Sequence, residues 1–321
     1  MLVRRTVGLL ALIAALAAPM PVLAQDQPIR IVFPFAAGGS GDALTRLIAA
    51  KMQEGLRRTV IVENRTGAAG RIGTVAVKNA APDGNTLLLT PIAPVAVYQH
   101  VYPNLDYDPL KDFAPVSHVA TFDFAIAVGA QIPAKTLKEL VAWVKADPAR
   151  ATFASPAAGA LPHFFGVLLG RAAGLELRHA PYRGSAAALP DLIAGHVPMM
   201  FTTLSDFVEN HKAGRIRILA TSGKARSPFV EGIPTFREAG YDIEGSAWYG
   251  AFAPARTPKD IVDRYSKIMA AAVQAPDVKQ KLLDFGLQPT GTTAAELAAI
   301  QKADSERWAP AVKASGFKPA Q

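Results

Sequence analysis

The loop at residues 34–42, PFAAGGSGD, carries residue types that bind an anion without a cationic side chain. It follows an apolar run at 29–33, and Gly38 and Gly39 let the backbone approach a ligand closely. The helix expected to follow offers unpaired amide groups at the positive end of its dipole. The loop therefore predicts an anion site; the alternative is an ordinary glycine-rich turn in which Ser40 caps the helix.

Two later loops have the same character. An expected strand at 151–155 runs into PAAGALPH and then a helix, and a further strand ends at PYRGS, residues 181–185. Two opposed lobes that each present a helix start form a clamp for a molecule with two carboxylates. Arg183 has two interpretations, bidentate contact with a carboxylate or a place on the surface beside Tyr182.

The spacing of these motifs excludes several classes of enzyme. A nucleotide P-loop requires Lys where this chain has Asp42, and GGSG does not match the dinucleotide-binding pattern G-x-G-x-x-G. A G-x-S-x-G nucleophile elbow would need glycine at 42. The six histidines form neither HExxH nor an i, i+4 pair, and the chain has no cysteine. We therefore expect no catalytic residue, no metal and no cofactor, and for His163 a capping or packing role.

The first 24 residues have the pattern of a cleavable secretory signal peptide. Two arginines precede an apolar run at 7–18, and small residues lead to a predicted cleavage after Ala24. The alternative is a membrane anchor, but a helix of about twelve residues spans only ~18 Å of a ~30 Å hydrocarbon core. The sequence therefore predicts export from the cytoplasm.

Composition supports an ordinary folded protein of two lobes. Half of the residues are hydrophobic and 19% are charged, so the chain has enough apolar side chains to build hydrophobic cores. Its length of 321 residues exceeds that of one typical domain. The net charge of +8 is not concentrated in any run of five basic residues, so together with export it argues against nucleic acid. A mild positive field suits anionic small molecules or serves only solubility.

Strand-like and helix-like segments alternate along the chain, which predicts an α/β fold with parallel sheet and helices on both faces. The run TLLLT at 86–90 is typical of a strand covered on both faces. Segments 113–128 and 216–222 are the candidate crossovers between lobes. They predict one lobe at 25–123 plus 221–321 and an inserted lobe at 124–220. Expected helices include 42–53, ended by Gly55, 136–146, capped by Thr136, and 293–308.

Five motifs in this order and spacing carry a resemblance to a known family: PFAAGGSGD, VENRTGAAGRIG, APDGNTLLLT, PYRGSAAALPDLIAGHVPMMF and WYGAFAPARTP. Beyond the signal peptide the chain resembles the periplasmic substrate-binding proteins of tripartite tricarboxylate transporters, the Bug-type receptors. The resemblance implies a type II periplasmic-binding fold, in which two α/β lobes joined by crossover strands close on a ligand in the cleft between them.

The resemblance also implies which residues contact the ligand. They comprise an apolar wall, backbone donors of the first loop, the motif acid, and groups at the ends of the later strands: Phe35, Gly38, Gly39, Ser40, Asp42, Thr90, Ser155, Ala160, Leu161, His163, Gly184, Ser185, Thr202 and Thr203. The pair Trp248-Tyr249 is expected to pack near the hinge rather than contact ligand.

This chain departs from the family pattern at three positions. Ala160 replaces a usual Ser or Thr, Thr202 replaces a usual acid, and Gly41 stands where a hydroxyl residue is common. A lost hydroxyl removes about 0.5–1.5 kcal/mol of hydrogen bonding. The lost acid disfavours a ligand amino group, so we expect a more apolar or aromatic carboxylate that lacks one.

The resemblance implies a monomeric receptor that captures a small organic carboxylate and delivers it to membrane permease subunits. The alternative is a receptor that presents its bound carboxylate to a membrane sensor kinase. The sequence does not separate these two roles.

Overall fold

The computed structural model describes residues 27–317, and the predicted signal peptide at 1–24 lies outside them. Within the described range, no helix has the length and apolar character needed to cross a membrane.

Strands and helices alternate along the described chain. The strands are β1 (Ile29–Phe33), β2 (Val60–Asn64), β3 (Thr86–Pro91), β4 (Phe113–Gly129), β5 (Thr152–Ser155), β6 (Arg178–Pro181), β7 (Met199–Thr203), β8 (Ile216–Thr221), β9 (Ser246–Pro254) and β10 (Gln288–Pro289). The helices are α1 (Ser40–Leu56), α2 (Arg71–Lys78), α3 (Leu137–Ala146), α4 (Leu161–Ala173), α5 (Ser185–Ala194), α6 (Val208–Lys212), α7 (Lys259–Gln274), α8 (Pro276–Asp284) and α9 (Ala294–Ser315). Short turns of helix include Leu204–Asp206, directly after β7.

The strands form one curled sheet with two halves. In the first half the order is β2-β1-β3-β9-β4, with β1 parallel to β2 and β3, and with β9 antiparallel to both β3 and β4. In the second half β6-β5-β7 continue from β4; β5 is parallel to its two neighbours, while β7 and β8 run antiparallel to β4. The parallel pairs are linked through helices, as the alternation of segments predicts.

Strand β4 belongs to both halves. Its residues up to Asp123 pair with β9, and from Phe124 onward they pair with β7 and β8. The chain leaving β8 returns beside the same point, where the Ser222 hydroxyl accepts from Phe124 N at 2.8 Å and donates to Gly245 O at 2.6 Å. Two crossing segments therefore lie side by side between the halves. The lobe bounds at 123/124 and 220/221 stay a prediction.

The core of the first half follows from the sequence pattern. Leu87, Leu88 and Leu89 of β3 are fully buried although successive side chains point to opposite faces, so helices cover both faces of this strand. Leu44 and Ile48 place the apolar stripe of α1 against the sheet.

Two helix ends differ from the sequence expectation. Helix α1 passes through Gly55 and ends at Leu56, and its C-cap residue Arg57 takes the left-handed conformation with φ 52°. Gly55 instead allows close packing, because a Cβ there would lie 3.2 Å from Ile268 Cγ2 on α7. Helix α9 runs on to Ser315 through Pro310, since Trp308 and Val312 on either side are buried. The Thr136 cap is confirmed: its Oγ1 accepts from Glu139 N at 3.2 Å.

Candidate functional site

A cavity lies between the two halves of the sheet, where the loops after β1, β5, β6 and β7 meet. We call it the central cavity. Its lining is mostly apolar and comes from both halves: Phe33, Phe35, Ala36, Gly39, Gly41, Pro91, Ile92, Ala93, Phe122, Phe124, Pro156, Ala157, Ala160, Leu161, Pro162, Gly184, Ser185, Thr202, Thr203, Asp206 and Tyr249. Parallel strands whose carboxyl ends converge produce such a cleft.

Five aromatic rings form one wall of the central cavity. Phe33 lies between Phe35 and Tyr249, with ring centroids 5.9 and 6.5 Å away. Phe122 packs 4.6 Å from Tyr249 and 5.3 Å from Phe124, at the point where β4 changes halves. Such a wall favours an apolar or aromatic body in the ligand.

Few polar side chains reach the central cavity. Among residues 27–317, the lining residues with polar side chains are Ser185, Thr202, Thr203, Tyr249 and Asp206, and no lysine, arginine or histidine lines the cavity. Burial, and secondarily the Asp206 charge, raises the pKa of Tyr249 above its ordinary value. Recognition of an anion here would depend on backbone amides and hydroxyls.

Helix α1 begins at the cavity with Gly39 as its N-cap residue, and no side chain caps it locally. The cap comes from the other half of the sheet, because Ser40 N donates to Asp206 Oδ1 at 2.8 Å. Thr202 Oγ1 donates to Asp206 Oδ2 at 3.0 Å. The start of α5 lies close by, since a Cβ at Gly39 would come 2.8 Å from Ser185 Oγ.

Asp42 holds the first loop rather than facing the cavity. Its Oδ2 accepts from Gly38 N and from Arg46 Nε, both at 3.0 Å, and its Oδ1 accepts from Asn64 Nδ2 at 2.9 Å. Burial alone would raise the pKa of Asp42, but these three donors outweigh it and hold the pKa below its ordinary value. The carboxylate therefore stays ionised and fixes the turn before α1.

The polar residues around the start of α4 are engaged with one another. Ser155 Oγ donates to Ala157 O at 3.1 Å and lies 2.7 Å from His179 Nε2. His163 Nδ1 accepts from Gly159 N at 3.1 Å, which is the packing and capping role expected of it. Ala160 and Leu161 at the helix start reach the central cavity.

The residues implied by the family resemblance fall into two groups. Those that line the central cavity are Phe35, Gly39, Ala160, Leu161, Gly184, Ser185, Thr202 and Thr203. Those that lie outside its lining are Gly38, Ser40, Asp42, Thr90, Ser155 and His163. Gly38 and Ser40 line a neighbouring groove together with Asp206, and Thr90 Oγ1 donates to Pro91 O at 3.1 Å. Ligand contact stays a prediction for all of them.

Sequence reasoning missed several residues of the lining. Phe33, Phe122 and Phe124 look like ordinary core positions, and Tyr249 lines the cavity although Trp248-Tyr249 was expected only to pack near the hinge. Trp248 does pack, donating to Asp304 at 2.7 Å. Asp206 follows the carboxyl end of β7 by three residues, the position that could have signalled it.

Two of the departures from the family pattern have a structural counterpart. Thr202 was expected to leave the site without an acid, but Asp206, one turn further on, brings a carboxylate into the lining. Gly41 has no room for a side chain, because a Cβ there would lie 2.5 Å from Phe33 Cζ and 2.9 Å from Tyr249 Cε1. A hydroxyl residue at 41 is incompatible with this aromatic wall.

Arg183 is exposed and does not line the central cavity. Its carbonyl oxygen accepts from Ala36 N at 3.1 Å, which joins the PYRG loop to the loop after β1. Among residues 27–317, no group of three or more histidine, cysteine or acidic side chains is placed to hold a metal ion.

Comparison with known proteins gives one consistent result. The family model described as tripartite tricarboxylate transporter family receptor matches residues 44–317. A Pseudomonas sp. (strain P51) protein from the tcbD-tcbE intergenic region is 36% identical over 287 residues, 88% of this chain and 84% of the relative. Protein BugT of Bordetella pertussis is 31% identical over 315 residues, 97% of each chain.

Solved structures agree with the sequence relatives. The periplasmic binding protein BugD superposes with a TM-score of 0.87 at 32% identity, covering 91% of this chain and 99% of BugD. R. palustris Rpa4515 with adipate gives 0.88 at 30% identity, covering 92% and 100%. MatC from Rhodopseudomonas palustris with bound malate gives 0.85 at 30% identity, covering 91% and 100%. The predicted two-lobed periplasmic-binding fold is confirmed.

Proposed function

This chain belongs to the tripartite tricarboxylate transporter receptor family, whose members are binding proteins rather than enzymes, and on that premise we propose a function in solute capture. The protein binds a small organic carboxylate in the central cavity, closes its lobes around it, and delivers it unaltered to a membrane permease. The observation that carries the proposal is the convergence of helix starts from both sheet halves on one aromatic cavity. It acts in the periplasm, as a monomer, after removal of its signal peptide.

The ligand carboxylate binds at the start of α5, where backbone amides can donate to it. Gly184, the N-cap residue of α5, and Ser185, its first residue, both line the cavity. The first amides of a helix lack intrahelical acceptors and point toward its positive end, so they stabilise a carboxylate without a counter-charge. The start of α4, at Ala160 and Leu161, lines the same side of the cavity.

The rest of the ligand lies against the aromatic wall. Burying apolar ligand surface contributes roughly 25 cal/mol per Å², and the rings of Phe122, Phe124 and Tyr249 offer a rigid surface for it. Two relatives at 30% identity have adipate and malate in their structures, which supports a small organic acid as the ligand class. We propose an organic acid that lacks an amino group.

Closure requires a hinge between the lobes. We place one lobe at residues 25–123 and 221–321 and the other at 124–220, with the hinge where β4 and the chain after β8 pass side by side. The Ser222 hydroxyl, which bonds to Phe124 N and Gly245 O, ties the two crossing segments together. Such a short pivot allows rigid lobes to move while their sheets stay intact.

A thermal-shift screen of mono-, di- and tricarboxylates, aromatic acids included, tests the proposal. A ligand at a hundred times its dissociation constant adds ~2.7 kcal/mol of stability. The methyl ester of each hit is the control and is expected to give no shift, and mass spectrometry of the released ligand is expected to find it unchanged. The proposal is contradicted if no carboxylate stabilises the protein, or if the released ligand has been chemically converted.

Delivery needs a separate test in cells. Deletion of the gene is expected to abolish uptake of the carboxylate found in the screen, and the wild-type gene is expected to restore it. Uptake that persists in the deletion strain, together with loss of a transcriptional response to the same acid, would support a sensing role instead.

A further inference from the structure

We propose that Asp206 occupies, with its own carboxylate, the place at the start of helix α1 that a second ligand carboxylate would take, and so selects ligands with one carboxylate. The inference rests on the proposed function, because it concerns which acids the central cavity accepts. It departs from the expectation that both lobes offer a helix start to a ligand with two carboxylates.

Asp206 places its carboxylate at the start of α1 and accepts from the first amide of that helix. Ser40 is the first residue of α1, and its amide donates to Asp206 Oδ1 at 2.8 Å. Thr202 Oγ1 holds the second oxygen at 3.0 Å, so the carboxylate is fixed from its own side of the cleft. A carboxylate at this position gains from the helix dipole in the same way that a bound anion would.

The remaining helix starts in the lining lie on one side. Those of α4 and α5 both belong to the second half of the sheet, and Gly184 N donates to Pro156 O at 3.0 Å, which keeps their loops together. Among the described residues of the lining, the first half contributes the start of α1, at Gly39 and Gly41, and the start of the short helical turn Ala93–Val97 after β3. In that turn Pro94 has no amide hydrogen to offer a ligand. The starts of α4 and α5 are therefore the place for a ligand carboxylate, and Asp206 takes the place opposite them at the start of α1.

Electrostatics act in the same direction. In the part of the chain that the structure describes, no lysine, arginine or histidine of the lining could offset a second negative charge beside Asp206. Two carboxylates that share a site disfavour each other's ionised form. The rings of Phe33 and Tyr249 border the same region, so an apolar ligand end is accepted where a charged end is not.

The test compares acids that differ only in the second carboxylate: hexanoate with adipate, butanoate with succinate, and benzoate with terephthalate. Affinities are measured by calorimetry for the wild type, Asp206→Ala, Asp206→Asn and a control, Glu209→Gln. Glu209 is a nearby acid that pairs with Lys212 on the surface and does not line the cavity. Asn can still accept from Ser40 N but carries no charge.

The wild type and Glu209→Gln are expected to bind the monocarboxylate of each pair at least about tenfold more tightly than the dicarboxylate. Asp206→Ala is expected to bind the dicarboxylate about tenfold or more tightly than the wild type does. The affinity of Asp206→Asn for the dicarboxylate is expected to lie between those of the wild type and Asp206→Ala. A wild type that prefers dicarboxylates overturns the inference, as does an Asp206→Ala variant that weakens both members equally. If carboxylates bind but selectivity ignores Asp206, only this inference fails; if none binds, the proposed function fails and the inference with it.

Discussion

The imidazole rings of His163 and His179 stack in parallel, with their centroids 3.9 Å apart, beside the ring of Phe153. Phe317, near the end of the described chain, closes the stack edge-on at 4.6 Å from His163. Burial lowers the pKa of His163 to about 4, and burial together with the neighbouring His163 lowers the pKa of His179 to about 3. Both rings are therefore neutral in the folded protein near neutral pH.

This pair predicts a loss of stability in mild acid. Unfolded histidine has a pKa near ~6.5, so below that pH the unfolded chain binds more protons than the folded one. Above pH ~6.5 the two histidines therefore cost the folded protein no stability. As the pH drops from there toward their pKa values in the folded protein, the free energy of unfolding falls by about 1.4 kcal/mol per pH unit for each histidine. Urea unfolding between pH 7 and 4.5 measures this slope.

Matched substitutions separate the stack from other histidines. His179→Phe is expected to reduce the acid slope, because one buried base is removed while the ring contact with Phe153 remains. His196→Gln serves as the control, since the His196 side chain is 72% exposed. An acid slope equal in wild type and His179→Phe contradicts the interpretation.

Gly41→Ala is expected to disrupt the aromatic wall. The added Cβ would lie 2.5 Å from Phe33 Cζ, so the ring must shift into the cavity, at a cost of about 1–3 kcal/mol in stability. Affinity for any cavity ligand is expected to fall by at least about tenfold. The control is Gly55→Ala in the same helix, which meets only the flexible Ile268 side chain and should change stability by less than about 1 kcal/mol. Equal effects of the two substitutions on affinity would refute this reading of Gly41.

The sequence could predict those parts of the molecule that depend on neighbours in the chain. Three consecutive leucines in β3 and the glycine-rich turn before α1 reveal a covered sheet and a helix start at a cleft, because each follows from local geometry. The resemblance carried by the five family motifs also predicts the two-lobed fold.

The presence of Asp206 at the start of α1 could not be predicted from local sequence. Ser40 and Asp206 are 166 residues apart, and their contact depends on how the two halves meet. The hydroxyl of Ser155 illustrates the same limit, since its neighbours Ala157 O and His179 turn it away from the cavity lining. Spacing identifies the loop but not the partner across the cleft.

Asp42→Ala is expected to act on the fold first and on ligand binding second. It removes the acceptor of Gly38 N, Arg46 Nε and Asn64 Nδ2, and we expect a loss of about 2–4 kcal/mol in the free energy of unfolding. Urea unfolding and calorimetry on the same preparation separate the two effects. Lost affinity with unchanged stability would instead identify Asp42 as a ligand contact.

Arg183→Ala is expected to leave affinity within about twofold of the wild type at both low and high salt. The side chain is exposed, and the residue joins the two loops through its carbonyl oxygen, which alanine retains. A bidentate contact with a carboxylate would be worth far more and would weaken as salt rises. Titrations at two ionic strengths decide between these interpretations, and a salt-dependent loss would place Arg183 in contact with the ligand.

An amino group on the ligand is expected to weaken its binding in the central cavity. Asp206 already accepts from Ser40 N and Thr202 Oγ1, and the other lining residues are apolar or carry only hydroxyls, so an ammonium would lose its hydration without gaining a full set of acceptors. We expect 3-phenylpropanoate to bind at least about tenfold more tightly than phenylalanine, and glutarate more tightly than glutamate, by calorimetry at pH 7. The opposite order would mean that Asp206 turns from the start of α1 to the ammonium, and Asp206→Asn would then weaken the amino acid while sparing its deaminated partner.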